Sequence, residues 1–192
     1  MVQTPLTLNL DTINLTDEQF YQICLANRDL KFERTSQGKL MIMSPTGGET
    51  GNQNLKLIQQ LANWTEADAT GIAFDSSCGF KLPNGAIRSP DAAWISLEKW
   101  NYLTTAQKQK FPPICPDFVV ELRSFSDELR LLQNKMQEYM ENGTRLGWLI
   151  NPQEKEVEIY RLGQLKQVLN SPRMLSGEDV LLSFILNLDR IW

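Results

Sequence analysis

Between Pro116 and Pro152 the spacing of apolar positions changes twice. Phe118, Val119, Val120 and Leu122 form a run too short for a helix and rich in strand formers. It is apolar on both faces, as an interior strand is. Beyond it, Leu129, Leu132, Met136, Tyr139 and Met140 recur at helical spacing and predict one buried stripe. Ser126 can cap that helix, Asp127 and Glu128 suit its first turn, and Gly143 suits its end. Leu146 to Ile150, carrying Trp148, reads as a second strand. This strand–helix–strand unit is the frame for the rest.

Upstream, residues 1–15 read as an extended or loose lead-in, and residues 16–192 as a single domain. Thr16-Asp17-Glu18 opens a helix ending near Asn27, with Phe20, Ile23 and Cys24 on one face. Leu30 to Arg34 and Lys39 to Met43 read as a hairpin turning at Ser36-Gln37-Gly38, a unit whose simplest role is scaffolding. After the break at Ser44-Pro45, a helix runs from Glu49 to about Ala69, with Leu55, Ile58, Leu61 and Ala62 as its apolar face. Gly71 to Asp75 and Cys78 to Leu82 suggest strands. Asn84-Gly85 signals a hairpin turn, and Ile87 to Ser96 reads as the returning strand. Leu97 to Gln109 suggests a short helix and a polar connection. Downstream, Glu156 to Arg161 alternates as a strand, Leu165 to Leu169 follows as another, Ser171 to Asp179 reads as a loop, and Leu181 to Leu188 closes the fold. The expected class is α+β: a mixed central sheet flanked by helices, with an N-terminal helix and β-hairpin.

The polar residues that interrupt this pattern carry the chemistry. Glu121 lies inside the apolar strand, and Arg123 projects to the same side. A carboxylate there is costly unless a cation, a metal or hydrogen-bond donors satisfy it. At about 100° per residue, Lys135 falls at the edge of the helix stripe, so its stem can follow the core and carry its ammonium toward the strand. Asp91, 30 positions before Glu121, follows a proline inside the returning strand. Proline there indicates an edge or a bulge, and bulges re-aim side chains near sites. Asp91 shares a strand face with Ala93 and Ile95. Two carboxylates on neighbouring strands can hold one hard divalent cation, Mg²⁺ or Mn²⁺. Glu49 is explained by the helix dipole alone; the functional alternative makes it a metal ligand, helped by Gln53. Asp117, just after Pro116, fits a structural strand entry.

Composition narrows the chemistry. There is no histidine among the 192 residues. That removes histidine-based triads, histidine-ligated zinc and histidine general bases. Three scattered cysteines support neither a disulfide framework nor a zinc site. The expected location is the cytoplasm, with no signal peptide and no membrane-spanning stretch. The net charge of −4 does not advertise a nucleic-acid surface, though an acidic metal site would itself subtract charge.

Four blocks in order carry a resemblance: Met43-Ser44-Pro45 with Gly47-Gly48-Glu49; Arg88-Ser89-Pro90-Asp91-Ala92-Ala93; Pro116-Asp117-Phe118-Val119-Val120-Glu121; and Lys135-Met136-Gln137-Glu138-Tyr139 with Gly143 and Trp148-Leu149-Ile150. Over roughly residues 16–190 the chain resembles the PD-(D/E)XK nuclease superfamily, and within it the Uma-family branch of restriction endonuclease-like proteins. The resemblance implies a metal-dependent phosphodiesterase fold, with Asp91 and Glu121 as ligands and Glu49 as a third acidic position. The superfamily pattern has lysine where this chain has Arg123. Arginine is a poor base but can orient phosphate, and the resemblance implies that Lys135 supplies the displaced lysine.

The expectation is a Mg²⁺- or Mn²⁺-dependent DNA endonuclease in which Asp91 and Glu121 hold the metal, Lys135 positions the water and Arg123 steadies phosphate charge. A homodimer would suit cleavage of two strands; no protein partner is indicated. The rivals are a nuclease-fold binding module that has lost activity, favoured by Arg123 and the acidic balance, and a metal-dependent hydrolase of a small phosphoester.

Overall fold

In the computed structural model, which describes residues 6–10, 13 and 15–192, the strands form a five-stranded sheet, a six-stranded sheet and a small third sheet of two strands near the C-terminus. The first sheet comprises five strands in the order β1-β3-β2-β6-β5: β1 (Leu6–Leu8), β2 (Lys31–Arg34), β3 (Leu40–Met43), β5 (Phe80–Lys81) and β6 (Ile87–Arg88). The expected hairpin is β2–β3, with Gly38 in its turn at φ +82°. β1 adds antiparallel to β3, so this part of the lead-in is an edge strand. The rest of that expectation falls partly on residues 1–5, 11, 12 and 14, outside the described residues. Helix α1 (Asp17–Ala26) begins as the sequence implies, Thr16 and Gln19 satisfying each other's backbone in a capping box.

The second sheet is the mixed central one, in the order β11-β10-β9-β8-β7-β4: β4 (Gly71–Asp75), β7 (Ala92–Ser96), β8 (Phe118–Leu122), β9 (Leu146–Asn151), β10 (Glu156–Arg161) and β11 (Gln167–Asn170). β8 and β9 are parallel, joined through helix α5 (Leu129–Glu141); the other pairings are antiparallel. Two short helices, α3 (Leu97–Asn101) and α4 (Thr105–Lys108), precede β8. The segment expected as the loop Ser171 to Asp179 contains β12 (Met174–Ser176), which pairs with β13 (Ile185–Asn187).

Three expectations are corrected. Ile87 to Ser96 is not one strand: it divides at Ser89-Pro90-Asp91, β6 staying in the first sheet and β7 entering the second. Pro90 has no N–H to give a ladder, so the chain can leave one sheet there and join another. Helix α5 starts at Leu129, with Glu128 as a cap that makes no side-chain bond; Ser126 lies in the turn before it. Helix α2 (Gly48–Asp68) buries Thr50, Gln53, Leu57, Leu61 and Thr65, while Leu55 is 64% exposed. Its inner face is rotated from the expected one because polar side chains lie on it. Gln53, for example, donates to the Ile191 carbonyl at 2.9 Å.

The central sheet separates two cores. On one face Trp94, Phe118, Val120 and Trp148 pack under Leu57 and Leu61 of α2 and the C-terminal Phe184, Leu186 and Leu188. On the other, Ala93, Ile95, Val119 and Leu149 pack against Met136, Tyr139 and Met140 of α5. Gly147 of β9 permits that contact: a Cβ there would stand 2.5 Å from the Met136 methyl. Each such fully buried side chain contributes about 1.5–3 kcal/mol, enough to fix the helix that carries Lys135. A third cluster, with Phe20, Phe32, Leu40 and Ile87, joins α1 to the first sheet.

Candidate active site

Register brings the two carboxylates together. Ala92 pairs with Val120 in the antiparallel β7–β8 ladder, so the preceding Asp91 and the following Glu121 meet across the strands. Asp91 Oδ2 accepts a hydrogen bond from Leu122 N–H at 2.8 Å. Both acids line one cavity of about 110 Å³, together with Lys135, Lys31, Ser89 and Asn54. An adjoining cleft of about 480 Å³ shares Lys31, Asn54, Ser89 and Asp91 and opens toward Arg28. The site lies where the chain leaves the first sheet for the second.

Lys135 reaches this point from α5 across β8. Its ammonium lies 2.8 Å from Glu121 Oε1 and 2.8 Å from Glu33 Oε1. Glu33, on β2, is fully buried. It also accepts from Arg88 at 3.1 Å and from Ser89 N–H at 3.0 Å. Arg88 in turn donates to Glu138 at 2.6 Å, one turn beyond Lys135 on α5. Tyr139 donates its hydroxyl to Glu121 at 3.1 Å. The hairpin, the junction and α5 are thus tied by one buried polar network whose members satisfy each other.

The charges within it are unequal. Burial opposes ionisation of Glu33, but Lys135 and Arg88 outweigh it and hold this acid down at about 2. Burial pushes Glu121 up; Lys135 opposes that, Asp91 and Glu33 add to it, and the result is about 7. Burial also raises Asp91 above the usual carboxylate range, against the pull of Lys31. Burial disfavours the Lys135 ammonium, yet Glu121 and Glu33 raise its pKa above the ordinary lysine value. The lysine therefore stays charged. Two carboxylates are left under strain in a low-dielectric cavity, the environment in which functional groups are found perturbed.

The other expected residues fall elsewhere. Glu49 is exposed on the first turn of α2 and does not line the cavity. The α2 side chain that does is Asn54, whose Oδ1 is buried without a hydrogen-bond partner among the described residues. Arg123 is directed along the loop after β8, its guanidinium donating to Asp127 O at 3.2 Å and Asn151 Oδ1 at 3.4 Å. It also does not line the cavity. Among the described residues no group of three or more acidic, cysteine or histidine side chains forms a metal centre. Asp117, as expected, is structural: it accepts from Ser96 N–H at 3.0 Å and pairs with Lys99 at 2.8 Å.

Residues 17–189 match the family described as "Uma2: Putative restriction endonuclease". The chain belongs to the Uma2 family. A crystal structure described as that of "a putative nuclease belonging to DUF820" from Anabaena variabilis is similar over 93% of this chain and 97% of that one, with a TM-score of 0.74 and 17% identity. At that identity the likeness is one of fold. No curated protein matches the sequence. Within this Uma2 fold the sequence did not reveal Glu33, Arg88, Lys31 or Asn54 as parts of the site. The one available signal was Glu33 itself, a carboxylate following Phe32 in a strand too short to alternate convincingly.

The residues present fit a hard divalent cation. Four acids (Asp91, Glu121, Glu33, Glu138) stand against three cations (Lys135, Arg88, Lys31), so the cluster keeps an excess of negative charge that favours a bound cation. Asp91, Glu121 and the unpartnered Asn54 oxygen are all oxygen donors, suited to Mg²⁺ or Mn²⁺.

Proposed function

We propose that the protein is a Mg²⁺- or Mn²⁺-dependent endonuclease that hydrolyses DNA phosphodiester bonds. The observation that carries this reading is the convergence of Asp91, Glu121 and Lys135 on one cavity at the junction of the two sheets. Membership of a family described as "Putative restriction endonuclease" supports it. Asp91 and Glu121 are the residues that would hold the cation. Bound there, the ion supplies Lewis acidity to the phosphate and lowers the pKa of a water.

The chain's own residues do the rest. Lys135, kept as an ammonium by Glu33 and Glu121, donates hydrogen bonds to the attacking water or a phosphate oxygen and balances charge that grows in the transition state. It does not serve as a base. Glu33, Arg88 and Tyr139 fix the angle of the groups that touch substrate. Lys31, at the cavity wall beside Asp91, offers a second cation to the phosphate. Arg123 acts by holding the loop after β8, a revision of the role of steadying phosphate charge.

The test is nicking of supercoiled plasmid with Mg²⁺ and with Mn²⁺, by the wild type and by Asp91→Asn, Glu121→Gln and Lys135→Met. Metal-dependent nicking that each substitution lowers by about a hundredfold or more supports the assignment. Undiminished nicking by the Asp91→Asn, Glu121→Gln double variant would overturn it.

A further inference from the structure

Ser124 and Ser126 both line the cavity wall, and the residue between them, Phe125, is 86% exposed. Single exposed apolar side chains are common, but this one stands in a turn held by four contacts, three of them to backbone groups. Ser124 N–H donates to Asp127 Oδ2 at 2.8 Å, and Gln153 donates to Ser124 O at 3.0 Å. The hydroxyls of Ser124 and Ser126 are 3.1 Å apart, and Arg123 donates to Asp127 O at 3.2 Å. A pinned turn presents an unburied ring one residue, about 3.8 Å of backbone, from two residues of the cavity wall. Its neighbours in the loop are serines and an aspartate, so the loop itself adds no further apolar side chain beside the ring.

We propose that Phe125 is a stacking platform for a nucleobase flanking the scissile phosphate, which makes the substrate a strand with an accessible base and not a small phosphoester. This rests on the phosphodiesterase reading above. In a nucleic acid the base lies one sugar away from its phosphate, and the ring lies one residue away from the cavity that would take that phosphate. Stacking requires a flat apolar surface and no hydrogen-bonding partner, and Phe125 offers only that. It therefore contributes affinity without sequence preference. In a duplex the same ring would have to wedge into a base step, so unpaired or opened bases are the better ligands.

The test is binding, without divalent cation, of a single-stranded oligodeoxynucleotide carrying 2-aminopurine, followed by anisotropy and by 2-aminopurine fluorescence. Phe125→Ala should weaken binding about tenfold and lose the stacking-induced quench, while Phe125→Trp restores both. The salt dependence should not change, since no phosphate contact is removed. Turnover of methyl p-nitrophenyl phosphate with Mn²⁺ should be the same in all three proteins. If Phe125→Ala binds and quenches like the wild type, the stacking role is wrong and the nuclease reading stands. If the wild type neither binds the oligonucleotide nor hydrolyses any phosphodiester, the nuclease reading falls and takes this one with it. If Phe125→Ala alters only the sedimentation coefficient, the ring covers a second copy of the chain, and the proposal is overturned.

Discussion

Lys135 and Glu33, 102 positions apart in sequence, meet as a buried ion pair at 2.8 Å. The pair makes the N-terminal hairpin part of the site, not scaffolding alone, because Glu33 fixes the ammonium that faces Glu121. Breaking a buried pair by removing one partner leaves a charge uncompensated, at a cost of about 3–5 kcal/mol. Glu33→Gln should therefore lower the unfolding free energy read from urea titration by up to that order, since Lys135 and Arg88 keep only Glu121 and Glu138 as partners. The double variant with Lys135→Met should be non-additive by about 1 kcal/mol or more. Additive losses would mean that the two side chains do not depend on each other.

Glu121 gives the metal-free protein a pH dependence of definite sign. Its pKa rises from 4.5 in the unfolded chain to about 7 in the fold, so between those values the folded state binds more protons. Stability contributed by this group is full below 4.5 and is lost as pH rises through 7. The melting temperature, measured in EDTA, should fall by about several degrees across that window through this group. In Glu121→Gln the fall should shrink. An unchanged profile in the variant would show that Glu121 is not the group that titrates.

How much of this was legible in the sequence depends on the range of the interactions. The β8–α5–β9 unit follows from period alone, since an apolar strand, a helix stripe and Gly143 are local signals. Asp91, Glu121 and Lys135 stood out because each is a charge set against an apolar pattern, and the structure brings all three to one cavity. Glu33 did not, because β2 has four residues and its partners lie on other elements. The division of Ile87 to Ser96 between two sheets was hidden for a similar reason: Pro90 marks a break, but only long-range pairing decides which sheet each half joins. On α2, polar residues inside and Leu55 outside inverted the usual pattern, so Asn54 rather than Glu49 reached the cavity.

Arg123 departs from the lysine of the superfamily pattern, and its position gives the departure a different meaning. The guanidinium spans Asp127 O and Asn151 Oδ1 outside the cavity. Lysine could not make both contacts with the same planar fork. Arg123→Lys should leave plasmid nicking within about threefold of wild type, and lower stability by about 1 kcal/mol for the lost hydrogen bond. A gain of activity of tenfold or more would show instead that arginine disables the site and that Lys135 is not its replacement.

Asp117 provides the control on the same strand face as Glu121. Its two oxygens serve the opposite end of β8, one accepting from Ser96 N–H and the other pairing with Lys99. Lys99 is 40% exposed, so solvent screens the pair and most of the value of Asp117 lies in the bond to the half-buried Ser96 backbone. Asp117→Ala should cost about 1–3 kcal/mol by leaving that N–H unsatisfied, read as a lower urea midpoint with an unchanged slope. Nicking per folded molecule should match wild type, while Glu121→Gln, two pleats along the strand, abolishes it. If Asp117→Ala lost activity beyond its loss of folded protein, the working surface would have to extend to the far end of β8, and the sheet junction at Ser89-Pro90-Asp91 could not be the whole site.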